Sequence, residues 1–183
     1  MTEEALYKLR FPIGEFQKPE IITPETIKLW IQDIEQFPQA VEAVTKGLTT
    51  EELNWQYRPD GWTIKQVVHH CADSHMNSII RFKLALTEES PTIRPYYEER
   101  WATLIDSIDD NINDTLNLLN GLHAKLGKLL SHISTKELSR VFVHPEHGRR
   151  FQLDETIGMY AWHSNHHLAH IKQAIAYKGR FSS

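Results

Sequence analysis

Four stretches of this chain repeat their apolar side chains every three to four residues, and turn-forming residues punctuate the gaps between them. The first runs from Pro24 to Lys46. Thr23 stands where an N-cap belongs, Pro24 occupies the favoured first helical position, and Gly47 offers a stop. Ile27, Trp30, Ile31, Ile34, Phe37 and Val41 form its stripe, with Pro38 placed to kink or divide it. The second follows Pro59-Asp60-Gly61, a turn signature. Thr63 and Gln66 make a capping box, and the helix is expected to reach Thr87. The third spans Glu98 to Ser131, with a break indicated where cap-type residues crowd between Ser107 and Asn113. The fourth starts at Asp154 as N-cap and runs to Tyr177, closed by Gly179. Between the third and fourth, Arg140–Gln152 carries Val141-Phe142-Val143, then Pro145 and Gly148, the pattern of a small hairpin. With no internal repeat and no sustained heptad, the expected fold is an all-α four-helix bundle formed by residues 1–183 as a single domain.

Composition narrows the function. Apolar types make up 40% and charged types 24% of the chain, ordinary values for a globular protein. A net charge of −4 argues against nucleic-acid binding by phosphate neutralisation. No apolar run approaches the ~20 residues that span a bilayer. MTEEALYKLR lacks the basic and apolar blocks of a secretory signal, and the lone Cys71 cannot form an internal disulfide or a multi-thiolate site. A cytoplasmic protein acting on a small molecule, without nucleic acid or membrane as partner, is the expectation.

Histidine is the distinguishing residue. Of eleven, three cluster at 69, 70 and 75 and four at 163, 166, 167 and 170, on the second and fourth helices. Residues i and i+4 lie about 40° apart on a helix. On the fourth helix, His163 and His167 border the stripe of Ile157, Tyr160, Leu168, Ile171 and Ile175, while His166 and His170 fall further round toward solvent. His163 and His167 are therefore the preferred ligand pair. On the second helix the wheel centres on His75. His70 lies on a flank beside Val67, Ser74 and Ser78, and angular arithmetic alone does not select it. Three imidazoles without a thiolate make an open site, with zinc favoured and nickel among the other metals imidazole suits.

Plainer readings stand beside this one. A helical histidine is more often a surface or hydrogen-bonded residue, and His123, His132 and His166 are read first in that way. His75 suits a buried structural histidine as well as a group behind a ligand, and Asp73 a solvated carboxylate as well as one that orients an imidazole. Cys71 on the apolar side reads as packing, and His144-Pro-Glu-His147 reads as a turn. H-E-x-x-H, G-x-S-x-G, P-loop and G-x-G-x-x-G motifs are missing, so protease-type zinc, serine-hydrolase and nucleotide chemistry lack support.

The stretch DGWTIKQVVHHCADSHMNS (Asp60–Ser78) resembles the start of the second helix of the YfiT-like proteins of bacilli, in the DinB/YfiT-like superfamily of metalloenzymes. Arg81–Pro95, Tyr160–Ile171 (YAWHSNHHLAHI) and Phe11–Phe16 (FPIGEF) extend the resemblance over nearly the whole chain. It implies a four-helix bundle with one divalent metal per subunit, zinc or nickel, on His70, His163 and His167, in a homodimer. It also implies a metal-dependent hydrolase, in which a divalent ion on three histidines would acidify water. His75, Asp73 and His166 are then candidates for the general acid or base. The same relatives offer an alternative, a transferase of a low-molecular-weight thiol (bacillithiol), for which Arg81 and Arg94 would hold the thiol's carboxylates. A third reading, a non-enzymatic metal-binding protein, predicts loose binding of several equivalents.

Overall fold

The computed structural model describes residues 1–146 and 148–181. Its elements, in chain order, are α1 (Glu3–Arg10), α2 (Pro24–Thr45), α3 (Thr50–Leu53), α4 (Ile64–Thr87), α5 (Glu98–Trp101), α6 (Asn113–Leu130), α7 (Thr135–Leu138), β1 (Val141–His144), β2 (Arg149–Gln152) and α8 (Leu153–Tyr177). The long helices α2, α4, α6 and α8 make a four-helix bundle. Both α2 and α4 pack chiefly against α6 and α8, so α2 and α4 sit across one diagonal of the bundle and α6 and α8 across the other. The neighbours α4 and α8 carry the two histidine clusters.

The helix starts are chemical. Thr23 and Thr63 accept hydrogen bonds from the backbone amides of Thr26 and Gln66, and Gln66 returns one to close the capping box. Pro38 neither divides α2 nor ends it. The third predicted helix is broken more widely than expected. Asp109 and Asn111 accept from the backbone amides of Asn111 and Asn113, local turns that compete with helix until α6 begins. The fourth starts with Gln152 as the cap residue, not Asp154, because β2 runs straight into the helix and buries Leu153 at its first position. The hairpin is real: β1 and β2 pair antiparallel with Phe142 opposite Phe151, rings stacked 5.5 Å apart.

Helix α1 has no counterpart in the sequence reading. It is only eight residues long and none of them is fully buried, so its short Ala5–Leu6–Leu9 stripe carries little signal; Thr2 caps it and a Glu4–Lys8 pair spans one turn.

The core has two apolar halves. One holds Ile31, Ile34, Phe82, Leu126, Leu130, Phe142, Leu153 and Ile157. The other holds Phe37, Val41, Ile64, Val67, Val68, Cys71, Leu119 and Ile171. On three of the long helices the buried residues between these sets are polar: His75 and Ser78 on α4, His123 on α6, and Ser164, His166, His167 and His170 on α8, with half-buried His163 beside them. A layer of imidazoles thus crosses the middle of the bundle. The packing of α6 gives a direct check. Leu126→Ala, at a site 1% exposed, is expected to cost about 2–5 kcal/mol. Leu118→Ala, on the 43%-exposed face of the same helix, should stay within about 0.5 kcal/mol; urea denaturation of both variants tests that register.

Candidate metal centre

His70 projects from α4, and His163 and His167 from successive turns of α8. Each offers one ring nitrogen, and the three nitrogens all lie within 4.8 Å of one another. The Nε2 atoms of His70 and His163 are 3.3 Å apart, and Ser74 Oγ is 3.5 Å from the latter. Ser74 and Ser78 are the small neighbours that give His70 its room on the α4 flank, and Trp62 packs against its ring at 4.7 Å. His70 and His167 are buried and His163 is half-buried. Burial pushes His70 down to about 4 and holds His163 and His167 well below the ordinary histidine value, with neighbouring imidazoles adding to the effect. All three are neutral at pH 7, the form that coordinates a metal. The donor set fits a divalent ion: three neutral nitrogens converge, no fourth side chain among the described residues closes the group, and a coordination position is left open.

The triad lies on the wall of a cavity of about 750 Å³. Its lining also includes Arg10 at the end of α1 and Phe11 after it, the turn before α4 (Tyr57, Arg58, Asp60), Pro95, Tyr96, Glu98 and Glu99, and the hairpin residues His144 and Glu146. Arg81 reaches the cavity from α4. One of its terminal nitrogens donates to the Tyr160 hydroxyl at 3.2 Å, while its buried Nε has no hydrogen-bond partner among the described residues.

The other residues singled out from the sequence are distributed unevenly. His166 is on the cavity wall, and its buried Nδ1 likewise has no partner among the described residues; burial pushes its pKa down to about 4. The solvent-facing orientation expected for His166 and His170 is corrected: they are 6% and 2% exposed. A wheel drawn on one helix cannot see the N-terminal segment that covers this face. Phe11 packs on His166, Trp162 Nε1 donates to the Gly14 carbonyl, and His170 stacks on Tyr57 with ring centroids 3.8 Å apart. His75 is 1% exposed and does not line the cavity; its Nε2 lies 3.0 Å from His163 Nδ1, behind the triad. Asp73 is half-buried and also off the cavity wall, its carboxyl pushed up to about 6 by burial and by Asp106. Arg94 is exposed and outside the cavity. It points away from the buried Ile93 beside it, in a segment hydrogen-bonded to Val143, so the structure does not bring it to the site. Cys71 is fully buried and its thiol pKa is pushed up, in keeping with packing. His147 lies outside the described residues.

Sequence reading missed His123 as a partner of this group. It is 1% exposed and lies 2.7 Å from His75 Nδ1. Its spacing from Leu119 and Leu126 places it on the buried stripe of α6, a signal that was present but outweighed by the general rarity of ligand histidines.

A three-nitrogen centre between adjacent helices of a bundle defines a class of metal-binding helical protein. The chain belongs to the DinB superfamily, whose family model matches residues 33–171, and within it to the YfiT-like proteins. Proteins of Bacillus cereus (strain B4264) and Bacillus thuringiensis subsp. konkukian (strain 97-27), each named "Putative metal-dependent hydrolase", are 49% identical over 163 residues, 89% of this chain and 93% of each relative. The solved structure of YfiT from Bacillus subtilis, described as "a probable metal-dependent hydrolase with an unusual four-helix bundle topology", superposes with a TM-score of 0.91 at 42% identity. It covers 95% of this chain and 99% of that one.

Proposed function

We propose that the protein is a metal-dependent hydrolase holding one divalent ion, zinc by preference and nickel as the alternative, on His70, His163 and His167. The observation that carries this reading is the convergence of three neutral imidazole nitrogens on a cavity large enough for a small molecule. A divalent ion there supplies Lewis acidity, polarising a substrate carbonyl or phosphoryl oxygen and acidifying water. The chain supplies the rest. His166, neutral and on the cavity wall, would accept a proton from the attacking water and return it to the leaving group. Arg81, on the cavity wall and anchored through Tyr160, presents its guanidinium to an oxygen of the substrate. His75 acts behind His163, and Asp73 and Arg94 are assigned no contact with substrate.

The placement of Arg81 on the cavity wall also favours the second reading, transfer of a low-molecular-weight thiol, because a guanidinium suits a carboxylate on the thiol. The two readings share the site and differ in what enters it. The homodimer and the cytoplasmic setting belong to the same proposal, the first resting on resemblance and the second on the lone Cys71, which suits a reducing compartment.

The test is metal content per chain with two parallel assays, cleavage of a chromogenic ester and conjugation of a thiol to a chromogenic electrophile. One equivalent of metal, with ester cleavage lost on chelation, supports the hydrolase. Chelation-sensitive conjugation without ester cleavage supports the transferase. Several loosely held equivalents and neither activity would leave a metal-binding protein.

A further inference from the structure

Three histidines outside the triad form hydrogen-bonded connections between it and two backbone carbonyls. His163 Nδ1 lies 3.0 Å from His75 Nε2, His75 Nδ1 lies 2.7 Å from His123 Nε2, and His123 Nδ1 lies 2.6 Å from the Ile34 carbonyl oxygen on α2. Separately, His167 Nδ1 lies 3.3 Å from His170 Nδ1, and His170 Nε2 lies 3.0 Å from the Arg10 carbonyl at the end of α1. A neutral imidazole has one N–H and one lone pair, and with one donor and one acceptor at each contact every ring in both connections is satisfied in that form.

A carbonyl can only accept. His123 must therefore carry its proton on Nδ1 to donate to Ile34, which leaves Nε2 to accept. His75 then donates from Nδ1 and accepts at Nε2, so His163 donates from Nδ1. In the second connection, His170 donates from Nε2 to Arg10 and accepts at Nδ1, so His167 also donates from Nδ1. In both connections the last nitrogen, Nε2 of His163 and of His167, is left with only a lone pair.

The geometry points to a tautomer lock: the Ile34 carbonyl acting through His123 and His75, and the Arg10 carbonyl acting through His170, fix His163 and His167 as Nδ1–H tautomers with their Nε2 lone pairs available to a divalent cation. His75, His123 and His170 are positioning residues for the ligand pair. An unconstrained neutral imidazole favours the opposite, Nε2–H form, so the lock overcomes an intrinsic preference that would block the ligand atom. Metal-ligating histidines ordinarily donate their second N–H to an acceptor. Here the acceptor is another imidazole whose own tautomer is set from a different helix. The approach of His70 Nε2 and Ser74 Oγ to His163 Nε2 agrees with that nitrogen being an acceptor. The link to metal rests on the ligand assignment proposed above, but the tautomers can be read without any metal.

The test uses full-length, metal-stripped protein with 15N-labelled histidine at pH 7.5 and long-range 1H–15N correlation spectra, assigned through single His→Gln variants. The expected pattern is Nδ1–H for His163, His167, His75 and His123, and Nε2–H for His170. Finding His163 or His167 as the Nε2–H form overturns the lock. Zinc affinity, measured by competition with a chelating dye, is expected to weaken about 10–100-fold in His123→Phe. It should return toward the parent value in His123→Gln, whose amide oxygen replaces the lost acceptor. Folding of both variants is checked by circular dichroism. If His123→Phe folds and binds zinc as the parent does, His123 has no positioning role and the lock is overturned. If His123→Phe fails to fold, the parent spectrum and His123→Gln still decide. A parent that shows the tautomer pattern but binds no metal would refute the ligand assignment while leaving the lock in place.

Discussion

His163→Ala is expected to abolish tight binding of the divalent ion together with the thermal stabilisation that the ion confers. A ligand that binds only the folded state at 100 times its Kd stabilises by about 2.7 kcal/mol. At about 2–4 °C per kcal/mol for a chain of this size, zinc should raise the parent's melting temperature by about 5–11 °C. With one of three nitrogens gone, the two that remain in His163→Ala leave the ion weakly held and the shift should vanish. The zinc-dependent shift is the quantity to compare, because the substitution also removes the partner of His75 Nε2 and lowers the metal-free baseline. His132→Ala is the control: that side chain is exposed and outside the cavity, so its variant should keep the full shift. A His163→Ala protein that keeps both one-to-one binding and the full shift would remove this residue from the ligand set.

The parts of this molecule that could be read from its sequence are those where one helix carries its own signal. Caps at Thr23 and Thr63, the stripe of α2 and the polar break before α6 are local chemistry and fold as local chemistry dictates. The i, i+4 spacing of His163 and His167 belongs with them. His70 was different: only the resemblance selected it, because its suitability depends on the small side chains of Ser74 and Ser78 and on α8 lying alongside. The burial of His166 and His170 was illegible for the same reason. It is produced by residues 10–14, brought back onto α8 from about 150 positions away in sequence by bonds to Trp162 and His170. Helix α1 is hard to read for another reason: its apolar pattern runs over only eight residues, and none of them is buried in the core.

The diagonal arrangement of α2 and α4 gives these observations a common cause. Because both pack between α6 and α8, inward-facing imidazoles of α4, α6 and α8 meet at mid-level, and α2 supplies the Ile34 carbonyl. His75, His123 and His163 meet there. Burying polar groups is costly unless each finds a partner, and the imidazoles largely partner one another. The bundle accepts a polar layer through its centre, and two members of the triad are supported from inside it.

That layer makes the metal-stripped protein acutely acid-sensitive. His70, His75, His123, His163, His166, His167 and His170 all have depressed values in the fold, about 4 for His70, His123 and His166 and about 3 for His170. In the unfolded chain each returns to about 6.5. A depressed folded value means that the associated stability is present above the unfolded pKa and is lost as pH falls below it, because the unfolded chain then binds protons that the fold excludes. Each group contributes at most about 1.4 kcal/mol per pH unit, so seven together approach a slope of about 9 kcal/mol per pH unit. Asp73 works the other way. Its raised carboxyl takes up a proton in the fold before it would in the unfolded chain, and so offsets part of one histidine's share. One pH unit below 6.5 the accumulated loss is comparable to the whole stability of a typical domain, about 5–15 kcal/mol. Cooperative unfolding is therefore expected between about pH 5 and 6, with uptake of about six protons per chain. Circular dichroism against pH on chelator-treated protein, paired with potentiometric titration, measures both quantities. A protein that stays folded to pH 4.5 while taking up the same protons would mean that the fold tolerates charged imidazoles at its centre, and that the layer is wetter and looser than the hydrogen bonds joining its rings require.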